Sequence, residues 1–124
     1  MILGIGIDII EIDRIKNSVD TFGDAFLKKI YTQNELDYCL VKHNKYQHLA
    51  ARFAAKEAIY KALSGTWSKV ASWKNIEITN EQNGLPVVKF SGKLKDYLSD
   101  DKDIKISISH SDNYVACVAL IFLK

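Results

Sequence analysis

Apolar and polar positions alternate from the start of the chain. Leu3, Ile5, Ile7 and Ile9 point to one side of an extended segment, and Gly4, Gly6 and Asp8 to the other. This predicts a strand over residues 2–9. One side of it is stripped of side chains, so a helix or a ligand can approach the backbone closely. A short helix is expected over 12–18, carrying Arg14 and Lys16. A second, over 24–30, has Phe22, Phe26, Leu27 and Ile30 as its apolar set and Lys28 and Lys29 exposed. Thr32 and Glu35 have the spacing of a capping box, in which hydroxyl and carboxylate satisfy each other's orphan N–H groups, so a third helix starts there and runs to about Val41. After a polar stretch, a long helix rich in alanine and leucine spans 47–63 and ends at Ser64-Gly65.

The period then becomes that of strands. Residues 76–79 and 85–90 flank the turn signal Asn83-Gly84, with Pro86 near a strand start. Residues 91–98 read as a short helix. Residues 104–109 alternate strictly, which predicts a strand with one wet face, and 114–123 predict a more deeply buried strand. His110 to Asn113 joins these last two as a tight hairpin. Helices and strands mix without regular βαβ alternation. The expectation is an α+β fold: an antiparallel sheet packed against helices, one of them long and central, with residues 1–124 as a single domain.

Composition narrows the function classes. The chain has 124 residues, 48% hydrophobic and 26% charged, with one proline, which is globular and neither disordered nor fibrous. A net charge of +2 is too mild to require nucleic acid. No apolar run approaches the roughly 20 residues of a membrane span, and no basic leader or small-residue cleavage site precedes the first strand. The expected setting is cytoplasmic, with neither a membrane nor a nucleic-acid partner. Cys39 and Cys117 have neither CxxC nor metal-ligand spacing and are expected as buried free thiols.

The candidate chemistry sits on the long helix and the first strand. Leu49, Phe53 and Ala54 are spaced to face a core, and Glu57 and Lys61 continue the stripe from Phe53. A carboxylate on an apolar stripe is costly unless it is paired or binds a cation. Arg52 and Lys56 lie to the side, so the segment gathers cations around one carboxylate. Either Glu57 pairs with Lys61 on a solvated face, or it joins Asp8 if the helix packs over the glycine side of the strand. Two carboxylates completed by waters and phosphate oxygens suit magnesium. Asp8 alone reads equally as a strand-end acid capping the next turn. His110, between Ser109 and Ser111, is a surface histidine or one that meets a phosphate or an adenine edge. Arg14, Lys16, Lys28 and Lys29 are solubilising charge or a docking face for an acidic protein.

Gly4-Ile5-Gly6-Ile7-Asp8-Ile9-Ile10-Glu11-Ile12 resembles the opening motif of the holo-acyl-carrier-protein synthases. Arg52-Phe53-Ala54-Ala55-Lys56-Glu57-Ala58 with Lys61-Ala62 resembles their central motif, and Ile108-Ser109-His110-Ser111 followed by Tyr114-Val115-Ala116 their last. Tyr31-Thr32 with Glu35, and Asn83-Gly84-Leu85-Pro86, fit in order and spacing. The resemblance implies transfer of 4′-phosphopantetheine from coenzyme A to a serine of apo-acyl carrier protein, by a homotrimer with sites between neighbouring subunits. It implies Asp8 and Glu57 as magnesium ligands, and Arg52, Lys61 and His110 as the groups that handle coenzyme A. Lys61 and Arg52 would neutralise the diphosphate, and Lys61 stands with Glu57 as catalytic. Either Glu57 or a metal-bound water takes the serine proton. Arg14 and the basic second helix would meet the acidic carrier protein. The chain departs from the family after Gly65-Thr66, where Trp67-Ser68 replaces a usual second glycine, so the stretch 66–74 carries no assigned role. Two other readings are a non-catalytic coenzyme A binder and a basic docking protein without a small ligand. Two acids close together favour the transferase, because a phosphate-only binder gains nothing from them.

Overall fold

The computed structural model describes residues 1–67 and 72–124, so part of the departure after Gly65 lies outside the described residues. The first strand, β1, spans Ile2–Glu11 and leads directly into α1, Ile12–Phe22. This helix runs one turn beyond the expectation. Ile15 is buried, Val19 packs against the core, and Gly23, at φ 56°, ends the helix with its N–H on the Val19 carbonyl. Phe22 therefore closes α1 and is exposed, instead of belonging to the apolar set of α2, Asp24–Ile30. The capping box forms as expected at α3, Gln33–Cys39, with Thr32 N–H on Glu35 Oε1 at 2.8 Å and Glu35 N–H on Thr32 Oγ1 at 3.2 Å. The long helix, α4, spans Lys45–Leu63.

After a 3-10 turn at Trp73–Asn75 come β2, Ile76–Asn80, β3, Pro86–Phe90, α5, Gly92–Leu98, β4, Lys102–His110, and β5, Tyr114–Leu123. The strands divide between two sheets. One is antiparallel with order β1-β5-β4, and β2 with β3 forms a separate hairpin. Its turn is the predicted one, with Gly84 at φ 86° and its N–H on the Glu81 carbonyl.

The packing of α4 on β1 organises the rest. A Cβ built on Gly4 would lie 2.0 Å from the Ala62 carbonyl oxygen, and one on Gly6 2.0 Å from that of Ala58. The bare side of the strand is therefore filled by helix backbone, and the alanines of α4 allow that approach. The same inner side of the sheet carries Val115, Cys117, Ala119 and Ile121, all buried. On the outer side Ile5, Ile7 and Ile9 are 65%, 66% and 66% exposed. They stand opposite Leu120, Val118 and Ala116 in the register with β5, so among the described residues one apolar face of the sheet is left uncovered.

Candidate functional site

Asp8 follows the two glycines on the side of β1 that meets α4. There Lys61 Nζ donates to Asp8 Oδ1 and to the Ile7 carbonyl, both at 3.0 Å. The partner of Lys61 is thus Asp8, and the Glu57–Lys61 pair considered from sequence does not form among the described residues. Glu57 stands in the field of both. Burial pushes its carboxyl above the usual range, Asp8 adds to that rise, and Lys61 opposes it. Two acids and a single ammonium therefore converge where α4 crosses β1.

The other cations of the helix go elsewhere. Lys56 is fully buried, with Nζ 2.6 Å from Glu35 Oε1 and 2.7 Å from the Ile30 carbonyl. Glu35 also accepts the Ile78 N–H at 2.8 Å. The expected gathering of cations around Glu57 is thus corrected: Lys56 ties α4 to α2, α3 and β2. Arg52 is 3% exposed, donates from Nη2 to Asn80 Oδ1 at 2.7 Å, and lies 4.6 Å from the centre of the Tyr38 ring. Its buried Nε has no partner among the described residues. At about 100° per residue, Arg52 stands about 140° around α4 from Glu57 and about 180° from Lys61.

Arg52 instead opens on a cavity of about 360 Å³ together with His48, Asn80, Pro86 and His110. His110 reaches it from the end of β4, where it pairs with Val115. None of the residues lining this cavity is a carboxylate. The predicted site residues therefore form two clusters. Asp8, Glu57 and Lys61 lie at the β1 edge of the sheet, whereas Arg52 and His110 lie toward the β4 edge. Sequence reasoning missed His48, Asn80 and Tyr38, although His48 is one helical turn before Arg52 and so shares its face. A wider cleft of about 810 Å³ between β3, α5 and β4 is rimmed by lysines and contains none of the predicted residues. Among the described residues, no group of three or more His, Cys, Asp and Glu side chains is placed to hold a metal, and a magnesium ion held by two carboxylates needs none.

Arg14, Lys28 and Lys29 are exposed on α1 and α2 as expected. Lys16 is engaged with Asp20 at 2.7 Å, and Asp13 and Asp24 offset part of the remaining charge. Cys39 and Cys117 are buried free thiols, pushed up by burial to about 11 and about 12. Among the described residues no helix is long and apolar enough to cross a membrane.

Comparison with known proteins gives one consistent answer. Residues 4–119 match the family model of the 4′-phosphopantetheinyl transferase superfamily. A holo-(acyl-carrier-protein) synthase of Chlamydia trachomatis serovar L2 is 48% identical over 117 residues, covering 94% of this chain and 97% of the relative. The crystal structure of the holo-(acyl-carrier-protein) synthase from Neisseria meningitidis superposes with a TM-score of 0.88 at 31% identity, covering 98% of this chain and 99% of that one. The synthase from Helicobacter pylori, solved in complex with coenzyme A, superposes with a TM-score of 0.81 at 31% identity, covering 95% and 99%.

Proposed function

Because the chain belongs to the 4′-phosphopantetheinyl transferase superfamily, as an enzyme of the holo-(acyl-carrier-protein) synthase kind, we propose that its two clusters are halves of one site that meet between neighbouring copies. The reaction moves 4′-phosphopantetheine from coenzyme A to a serine of apo-acyl carrier protein. The serine oxygen bonds to the phosphorus that carries the pantetheine arm, the anhydride bond to the other phosphate breaks, and adenosine 3′,5′-bisphosphate leaves with the electron pair.

The observation that carries this reading is the convergence of Asp8, Glu57 and Lys61 where α4 meets the glycine side of β1. Two acids with one ammonium leave a negative excess, and burial raises its cost, as the rise at Glu57 registers. That donor set suits a magnesium ion with phosphate oxygens in its shell, with Asp8 and Glu57 as ligands. When bound, the ion neutralises the diphosphate and the charge that builds on the leaving oxygen. Lys61 supplies a second positive charge to the same oxygens. Glu57 is the chain's own candidate for accepting the serine proton. Arg52, held by Asn80 and Tyr38 with a donor to spare, and His110 take a phosphate and the adenosine end.

The placement of the halves supports assembly of several copies. They lie toward opposite edges of one sheet, so a head-to-tail contact sets one copy's Asp8 cluster against another's Arg52 cluster. Such a contact gives a closed ring when its rotation closes, and the family resemblance implies a ring of three members. The uncovered face of Ile5, Ile7 and Ile9 has the apolar character that such a contact would bury. The acidic carrier protein docks on α1 and α2 around Arg14, where Phe22 adds exposed apolar surface. On this reading residues 1–124 act as one domain in the cytoplasm.

Mixing two inactive variants tests the shared site. Asp8→Ala and Arg52→Ala chains are each expected to lose activity. Mixed after dissociation and reassembly, they regain about a quarter of the wild-type sites, because random rings pair an intact half of each kind that often. A mixture as inactive as its parts would contradict the arrangement.

A further inference from the structure

His48 enters neither the metal cluster nor the family motifs quoted above, yet it lines the Arg52 cavity. It lies one helical turn before Arg52 on α4, so the two side chains stack on one face. His110 faces them from the end of β4. The His48 ring packs edge-on against Tyr38 of α3, with centroids 5.5 Å apart and planes at 83°. Arg52 itself is buried and short of a partner at Nε.

Among the described residues, the groups whose charge acts on His48 are all basic. Arg52 comes from its own helix, Lys42 from the segment after α3, and His110 from β4. From β2, the β2–β3 turn and the start of β3 the cavity lining takes neutral groups, among them Asn80, Gly84 and Pro86. Partial burial first, then these three basic groups, hold the imidazole below its ordinary value, so in the empty pocket it is neutral at neutral pH. A dianion entering beside it reverses the sign of that field.

We propose that His48 is a second imidazole of the phosphate pocket and takes up a proton when the phosphate monoester of coenzyme A enters between it, Arg52 and His110. This rests on the reading that the cavity receives coenzyme A. The monoester is the group concerned because it alone carries a second negative charge near neutrality, its second ionisation lying at about pH 6. A neutral imidazole leaves the empty pocket less self-repelling, and a protonated one adds a donor when the anion arrives. Binding therefore tightens as pH falls from 8 to 6.5, by up to about tenfold for each unit by which the phosphate raises the imidazole.

Titration calorimetry of the intact protein with coenzyme A at pH 7, in two buffers of different ionisation heat, counts the protons taken up. Repeating the titration from pH 8 to 6.5 gives the slope of affinity. The expected result is net proton uptake and a several-fold gain in affinity for the wild type. Both should be clearly smaller for His48→Phe, which keeps an aromatic ring against Tyr38, and for wild type with 3′-dephospho-coenzyme A. His48→Gln, with folding checked by thermal unfolding, serves if the phenylalanine variant is unstable. Equal uptake and slope in wild type and the His48 variants, or a full slope with 3′-dephospho-coenzyme A, would overturn the proposal. Coenzyme A binding that ignores His48 sinks this inference alone, whereas no binding at all sinks the functional reading with it.

Discussion

Glu57 has no ion-pair partner of its own among the described residues, and its burial and the nearby Asp8 both disfavour its charge. Its folded-state value lies above its unfolded one. The folded protein therefore binds more protons across the window between the two, and the metal-free protein loses stability as pH rises through that window. Glu57→Gln should then raise the metal-free melting temperature at pH 7. It should also abolish magnesium-induced stabilisation and transfer, which thermal unfolding with and without chelator would show. Lys56 illustrates the opposite case, a buried charge that is fully paired. Lys56→Met leaves Glu35 charged in the core and should cost about 3–5 kcal/mol in denaturant unfolding, part of which Glu35→Gln restores. Asp8, Glu57 and Arg52 were singled out from spacing and resemblance, but their partners in the fold were not readable there. Arg52 and Lys56 both come just before Glu57 in sequence, yet their long side chains reach Asn80 and Glu35 on other elements. Only tertiary packing decides such choices.

At the level of elements, the glycines of β1 and the alanines of α4 are one device. Gly6→Ala places a methyl 2.0 Å from a helix carbonyl, with Lys61 Cβ at 2.9 Å, so the helix must move away from the strand. Overpacking against backbone should cost about 3 kcal/mol or more. It should also lower activity beyond the loss of folded protein, since Glu57 then shifts from Asp8. Gly65→Ala, where an added Cβ meets nothing within 4 Å, is the matched control and should leave packing unchanged. Urea unfolding of both variants checks this. The alternation in β1 and β4, the capping box at Thr32 and the Asn83-Gly84 turn were legible because each rests on local chemistry. The extra turn of α1 was not, because its end depends on Gly23 rather than on the polar run before it. The division of strands into a three-stranded sheet and a separate hairpin depends on long-range pairing, which no local period encodes.

For the whole molecule, one chain holds the two clusters on different sides of the same helix and sheet, with an apolar face of that sheet uncovered among the described residues. The sequence reading placed Glu57 and Arg52 in one motif, and their separation around α4 is the feature that the proposed sharing of the site between copies explains. The central claim is the transfer itself. Apo-acyl carrier protein incubated with this protein, coenzyme A and magnesium, and weighed intact by mass spectrometry, measures it directly. The account predicts a gain of one phosphopantetheine on the carrier, abolished by chelator and by Glu57→Gln. A carrier of unchanged mass with every divalent metal tried would contradict it.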